Sequence, residues 1–193
     1  MRLILFFIFF SIFLFGQQSQ NKLAYKYYIN GEYHKAIELY EDIYENKFSS
    51  VDYRAYISCL FNVQNYKAAE LLARRAFRAY PSNLTYHLEI AIAQEKKGSI
   101  KKSKQTYNNL FAKINGQVSQ AVSLANVFKT HSMYSNALYV YELAENKNEK
   151  ASFRMQKAEL YLALEKNDLM IQAYLKELYN SFNFGSAAIA FST

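Results

Sequence analysis

Small and aromatic residues recur along this chain every 33 or 34 positions, and this interval restricts the folds open to it. One column of the repeat consists of Ala36, Ala69, Ser103, Ala137 and Met170. Three more columns keep the same spacing: Ala24, Ile57, Ala91, Ala125 and Ala158; Tyr40, Ala73, Tyr107, Tyr141 and Tyr174; and Tyr33, Tyr66, Ile100, Tyr134 and Asn167. A period of about 34 residues that is held over five units is typical of stacked helix–turn–helix pairs.

The second unit, Val51–Ser82, shows how one repeat is built. Its first half has apolar residues three and four positions apart, which places them on one face of a helix: Tyr53, Tyr56, Ile57 and Leu60. After a polar turn comes a second apolar stripe: Tyr66, Ala69, Leu72, Ala73, Ala76 and Phe77. Pro81 ends the pair because proline cannot continue a helix. The pattern predicts an all-α fold, a right-handed α-solenoid of about five repeats, with turns near Gly31, Gln64, Gly98, Ser132 and Glu165.

These columns resemble the tetratricopeptide repeat (TPR) family, and the whole chain resembles an exported bacterial-type member. That family has a small residue in helix A, a turn such as Gly31–Glu32–Tyr33, a small residue in helix B and a terminal proline, here only Pro81. The fifth unit departs from the pattern at Asn167 and Met170. The resemblance covers residues 20–182 and implies repeats at about 20–49, 50–83, 84–117, 118–150 and 151–182, with residues 183–193 opening an incomplete further repeat.

The resemblance also implies where a partner would bind. In this family helix A lines a concave surface, so its residues outside the packing stripe should face a groove. The groove residues expected on this basis are Asn21, Tyr25, Tyr28, Arg54, Ser58, Phe61, Leu88, Ile92, Glu95, Asn126, Lys129, Met155 and Glu159. Such a mixture of aromatic, amide and charged groups suits an extended peptide or a partner helix. Ser58 and Val122 stand where the family's clamp for a C-terminal carboxylate needs amide or basic groups.

The N-terminus has the layout of a secretory signal peptide. Arg2 precedes an apolar run that extends to Phe15, and the polar stretch Gln17–Gln20 follows. The run is shorter than the roughly 20 residues that a transmembrane helix needs. We therefore expect residues 1–19 to be a cleaved leader and the chain to be exported to the periplasm or cell envelope, or secreted. The alternative is an uncleaved anchor on the N-terminal TPR portion of a larger envelope protein.

Charge gives a further expectation about partners. The formal net charge is +7, and basic residues cluster at Arg74, Arg75, Arg78, Lys96, Lys97, Lys101, Lys102 and Lys104. Such a patch can bind nucleic acid or an anionic surface, or it can simply be a solvated outer face. An export signal argues against nucleic acid. An anionic surface and a solubilising face both stay open.

No motif in the sequence indicates chemistry. The three histidines fall in different units, the single cysteine, Cys59, cannot form an internal disulfide, and no metal, phosphate-loop or nucleophile motif occurs. We expect no cofactor, no metal and no enzymatic activity, and a role as a protein-interaction scaffold. The apolar segment Ser186–Phe191 resembles the opening of another helix A without its helix B, which predicts contact with further repeats or self-association at the C-terminal end.

Overall fold

The computed structural model describes residues 20–44 and 49–190, and the side chains of residues 20–43 and 49–180. These residues form ten α-helices and no strand. The helices are α1 (20–29), α2 (Tyr33–Tyr44), α3 (Ser50–Asn62), α4 (Tyr66–Ala79), α5 (Leu84–Lys96), α6 (Ile100–Phe111), α7 (Val118–Thr130), α8 (Tyr134–Lys147), α9 (Arg154–Ala163) and α10 (Asn167–Ala190). The predicted fold class, an all-α helical repeat of the solenoid type, is confirmed.

Five similar turns join the helices of the five pairs. Each turn has one residue with positive φ: Gly31 (75°), Gln64 (58°), Gly98 (84°), Ser132 (58°) and Glu165 (58°). In the second pair, Gln64 N donates to Phe61 O at 3.1 Å and Asn65 N donates to Leu60 O at 2.8 Å. This is the Schellman motif, which satisfies the last carbonyls of a helix and requires a left-handed residue. The turns lie at the residues that the repeat predicts.

The chain divides into two compact units. The first contains the residues up to Tyr80 together with Glu89–Ser103, and in it α2 packs on α3 and α3 on α4. Its core includes fully buried alanines from the repeat columns: Ala24, Ala36, Ala69 and Ala91. A small side chain at these positions lets two helices approach closely.

The second unit contains Pro81–Leu88 and the residues from Lys104 onward. In it α7 packs on α8, α8 on α9 and α9 on α10. Buried members of the repeat columns again form the core: Ala125, Ala137, Tyr141 and Ala158. The helix contacts named for each unit are therefore between helices that follow each other in the chain, as the repeat predicts.

The last helix differs from the expectation. α10 runs without a break from Asn167 to Ala190, past Phe182, where the sequence led us to expect the fifth pair to end. Residues 182–190 contain no proline, so no residue in this stretch blocks the backbone hydrogen bonds of a helix. The predicted leader, residues 1–19, lies outside the described residues. Among the helices that are described, none combines the length and the apolar character needed to cross a membrane.

Candidate functional site

In the first unit, most of the predicted groove residues are accessible. Tyr25 and Arg54 are exposed, and Tyr28, Ser58 and Phe61 are half-buried. Tyr25 and Ser58 directly follow the buried column residues Ala24 and Ile57, so helical spacing turns these two away from the buried face. The Tyr25 and Tyr28 rings lie 5.8 Å apart between centroids, and the Phe61 ring lies 6.1 Å from that of Tyr66. Three of these five accessible side chains, Tyr25, Tyr28 and Phe61, are therefore aromatic.

Asn21 holds two A helices together. Its Nδ2 donates to Oδ2 of the buried Asp52 at 3.1 Å, which joins α1 to α3. Ser49 Oγ donates to the same Asp52 oxygen at 2.5 Å, and Asp52 N donates to Ser49 Oγ at 3.1 Å. This reciprocal bonding caps the first turn of α3. The structure therefore gives Asn21 a role in packing as well as a position beside the expected groove.

Two predicted groove residues belong to the core. Leu88 and Ile92 are both 0% exposed, so neither can contact a partner in this structure. The reason is that the middle of α5 has no accessible face, since every residue from Leu88 to Gln94 is buried. Sequence periodicity distinguishes a buried face from an exposed face only when a helix has one of each. The next predicted residue, Glu95, is half-buried.

In the second unit, two of the four predicted residues meet across two A helices. Asn126, Met155 and Glu159 are exposed, and Lys129 is half-buried. Lys129 Nζ of α7 lies 3.3 Å from Glu159 Oε2 of α9. This ion pair shows that the accessible faces of successive A helices adjoin in this unit. An exposed pair of this kind contributes little to stability, so both groups can exchange it for a partner's charges.

The side chains of the predicted basic patch are exposed, and two of them pair with a carboxylate of the chain. All eight of its side chains are exposed, and Lys104 belongs to the second unit while the other seven belong to the first. Glu70 accepts hydrogen bonds from Arg74 Nη2 at 2.7 Å, from Gln94 Nε2 at 3.0 Å and from Lys97 Nζ. Burial alone would raise the pKa of Glu70, but these hydrogen bonds lower it to about 2. Two of the cations are thus held by an internal carboxylate, which weakens the attraction of an anionic surface.

A buried carboxyl group in α5 was missed by the sequence analysis. Tyr53 Oη of α3 donates a hydrogen bond to Glu89 Oε2, and Glu89 is only 7% exposed. Burial raises the pKa of Glu89 to about 7, although the hydrogen bond from Tyr53 acts in the opposite direction. The signal was present in the sequence, because Glu89 interrupts the apolar run from Leu88 to Ala93. This pair joins two A helices and lies away from the accessible residues.

The described residues show no constellation for chemistry. No group of three His, Cys, Asp or Glu side chains within them could hold a metal ion. Cys59 is fully buried, and burial raises the pKa of its thiol to about 12, so it remains a protonated, weak nucleophile. What the structure offers a partner is therefore an exposed surface of side chains.

Comparison with known proteins identifies the family. A family model described as Intraflagellar transport protein 56 matches residues 20–190. No curated protein matches the chain. A thermophilic TPR protein of Thermus thermophilus is 16% identical with a TM-score of 0.48, and the match covers 90% of this chain and 99% of that one. A putative kinesin light chain of Podosopora anserina, whose own TPR-like repeats are nearly identical to one another, is 18% identical to this chain. Its TM-score is 0.49, and the match covers 84% of this chain and 95% of the other.

The expectation from the repeat columns, a TPR protein, is confirmed by the family match, while the export that was expected with it remains a prediction. Because the match spans nearly all of the described residues, this chain belongs to the Intraflagellar transport protein 56 family, a family that contains tetratricopeptide repeats.

Proposed function

We propose that this chain is a non-enzymatic scaffold that binds an extended peptide or a partner helix through the accessible side chains of its A helices. The TPR-type fold supports a protein-interaction role in general. The observation that supports this surface in particular is the ion pair between Lys129 and Glu159, which places the accessible faces of α7 and α9 side by side. Adjoining faces can contact a partner at several points along its length, which is how extended segments are bound.

The chemistry of the accessible residues suits such a partner. Tyr25 and Tyr28 supply aromatic area at a small cost in conformational entropy, and aromatic residues together with arginine are common in interface centres. Arg54 and Glu159 supply isolated charges that can set the orientation of a bound segment. From the family we carry over only this scaffold role. Intraflagellar transport is the process for which the family is named, and we do not assign that process to this chain.

A charge reversal on an A helix tests the proposal. Arg54→Glu changes an exposed residue of α3, and Lys67→Glu makes the same charge change on an exposed residue of α4. Both variants and the wild-type chain are used as bait for proteins of the envelope fraction, and captured proteins are identified by mass spectrometry. We expect Arg54→Glu to lose a partner that the wild type and Lys67→Glu both retain. Equal capture by all three baits would overturn the assignment of the A-helix surface.

We also propose that the chain acts outside the cytoplasm, in the periplasm or cell envelope, because its first residues have the layout of a signal peptide. The alternative is that the leader stays as an anchor and the array is part of a larger envelope protein. Fractionation separates the two, since an exported, processed chain is released with soluble envelope proteins and an anchored chain stays with membranes.

A further inference from the structure

The tyrosine column of the B helices shows what each pair presents to the next one. In this column Tyr40, Tyr107 and Tyr141 are buried. Each stacks on an aromatic ring that belongs to the next A helix or, for Tyr141, to the residue just before that helix begins. The three stacked pairs, with their centroid distances, are Tyr40–Tyr56 at 5.6 Å, Tyr107–Phe128 at 6.0 Å and Tyr141–Phe153 at 4.6 Å. The face of a B helix that carries the tyrosine is therefore the docking face for a further A helix.

On α10 the side chains of this docking face are exposed to solvent. Tyr174 occupies the same column but is 36% exposed, whereas Tyr141 is 1% exposed. Ile171 and Leu178, which lie three residues before and four residues after Tyr174, are exposed as well. Residues three and four apart share one face of a helix, so these three side chains form a continuous apolar surface. We call this surface, Ile171, Tyr174 and Leu178, the tail face.

On α1 the complementary face is open. Leu23 and Tyr27 occupy the repeat positions of Tyr56 and Phe128, the aromatic residues that stack on the preceding tyrosine. Leu23 is exposed, and Tyr27 is half-buried, with Lys35 Nζ 5.4 Å from the centroid of its ring. We call these two residues the head face. It is the face on which an A helix receives the B helix of a preceding pair.

One contact inside the array shows how the two faces would fit. Glu145 Oε2 of α8 pairs with Lys157 Nζ of α9 at 2.6 Å. Leu178 follows Glu145 by one repeat of 33 residues, and Leu23 precedes Lys157 by four repeats, or 134 residues. The two repeat positions that form an ion pair in the interior are therefore occupied by two exposed leucines at the ends. Leucines at these positions would contact each other if a tail face met a head face.

Charge is also complementary between the two end helices. The described residues of α1 carry Lys22 and Lys26, both exposed, and no acidic residue. The described part of α10 carries Asp168, Lys176 and Glu177, and Glu177 pairs with Arg154 of α9 at 3.1 Å. The lysines of α1 meet only like charges on a second α1 but can meet Asp168 on α10, which disfavours contact between two α1 helices.

We propose that copies of this chain associate head to tail, with the tail face of one copy packed on the head face of the next. The contact repeats the geometry of α8 on α9 between two molecules. Such a heterologous contact uses different surfaces on the two partners, so it extends into a chain of copies unless the rotation closes a ring. It covers the apolar side chains that α1 and α10 expose in this structure.

Site-specific crosslinking tests the contact. The native Cys59 is buried, so a thiol introduced on the surface is the one that reacts. Chains with Leu23→Cys, with Leu178→Cys and with both changes are purified in the form that the cell produces. A short bismaleimide is added to each single variant alone, to a mixture of the two single variants, and to the double variant. We expect dimers only when the two variants are present together, and a ladder from the double variant. Leu71→Cys replaces Leu178→Cys in the control, since Leu71 is 60% exposed and Leu178 is 61% exposed.

Three outcomes would overturn the proposal: no dimer from the pair, equal dimer from the Leu71→Cys control, or dimer from Leu178→Cys alone, which indicates tail-to-tail contact. Thermal melts like that of the wild type show that the variants are folded.

Restoring the interior ion pair provides a second test. Leu178→Glu places an unpaired charge in the contact and is expected to weaken association about tenfold or more, as measured by light scattering. Leu23→Lys in the same chain supplies the partner charge, as Lys157 does for Glu145, and should recover association. If Leu178→Glu leaves the molecular mass distribution unchanged, the tail face is not an interface.

Discussion

Ala69 of α4 and its repeat equivalents Ala36 and Ala137 are fully buried. At these positions the side chain is limited to a methyl group because larger groups would hold the helix backbones apart. The array thus depends on small residues at a few positions. Its aromatic residues fill the space between helices, as Tyr40 does by stacking on Tyr56.

Enlarging one of these residues should destabilise the chain. Ala69→Leu adds three carbon atoms in a fully buried position, and we expect a loss of about 1–3 kcal/mol in the free energy of unfolding through overpacking. Lys102→Ala, at an exposed position, should cost little. Urea or thermal unfolding followed by circular dichroism compares the two. Coincident curves would show that Ala69 does not lie at a tight helix crossing.

The buried Glu89 makes a prediction about pH. Its pKa is raised from 4.5 to about 7 by burial, so the folded state binds more protons than the unfolded state between these values. Stability contributed by the protonated group is therefore present below pH 4.5 and falls as pH rises through about 7. We expect Glu89→Gln, which can still accept the Tyr53 hydrogen bond, to remove this loss and to stabilise the chain at pH 8 by roughly 1–3 kcal/mol.

Denaturant unfolding at pH 5 and pH 8 measures the effect of Glu89→Gln. Glu142→Gln, at an exposed position of α8, is the control and should leave the pH dependence as in the wild type. If Glu89→Gln and the wild type lose equal stability between pH 5 and pH 8, the carboxyl group of Glu89 is not the source.

At the scale of the helix pair, the five turns share one backbone conformation but not one residue type. Gly31 and Gly98 occupy the left-handed position at no steric cost, whereas Gln64, Ser132 and Glu165 adopt it with a side chain. The Schellman hydrogen bonds of the turn are present in both groups, as at Gly98 and Ser132. Turn geometry is therefore imposed by the hydrogen bonds and by packing of the helices, and glycine only lowers the conformational energy of the left-handed residue.

Exchanging residue types between two turns tests this account. Gly98→Ala adds a Cβ that meets nothing within 4 Å, so its cost is the left-handed backbone itself, about 1 kcal/mol. Ser132→Gly relieves that strain but increases the freedom of the unfolded chain, and we expect a change between zero and a gain of about 0.5 kcal/mol. Urea midpoints of the two variants give the comparison. A loss from Ser132→Gly as large as that from Gly98→Ala would contradict the prediction.

At the scale of the whole molecule, the proposed export makes a prediction about the N-terminus. We expect the cell to remove the leader by cleavage within Gly16–Gln20, because the apolar run ends at Phe15 and a polar stretch follows. Intact mass measurement of the chain isolated from cells gives the new N-terminus. A membrane-bound product that retains Met1 would instead establish the anchor.

The periodic spacing of small and aromatic residues was sufficient to predict the helical repeat and the positions of its turns, from Gly31 to Glu165. This works because each helix pair packs mainly on its neighbours in the chain, so local spacing reports directly on packing. Tertiary structure alone decided which A-helix residues are accessible. Leu88 and Ile92 have the spacing of exposed residues but are buried, because burial of α5 depends on what surrounds it and not on its own period.

The partners of the buried carboxyl groups were likewise decided by the tertiary structure. Glu70 meets Lys97 and Glu89 meets Tyr53 across 27 and 36 residues, respectively. No local pattern specifies such pairs, because they depend on how the helices are placed in space. The same holds for the two ends of the array, where Leu23 and Tyr174 occupy packing positions of the repeat yet are exposed. Periodicity assigns a residue to a packing position, and only the structure shows whether another helix fills the space beside it.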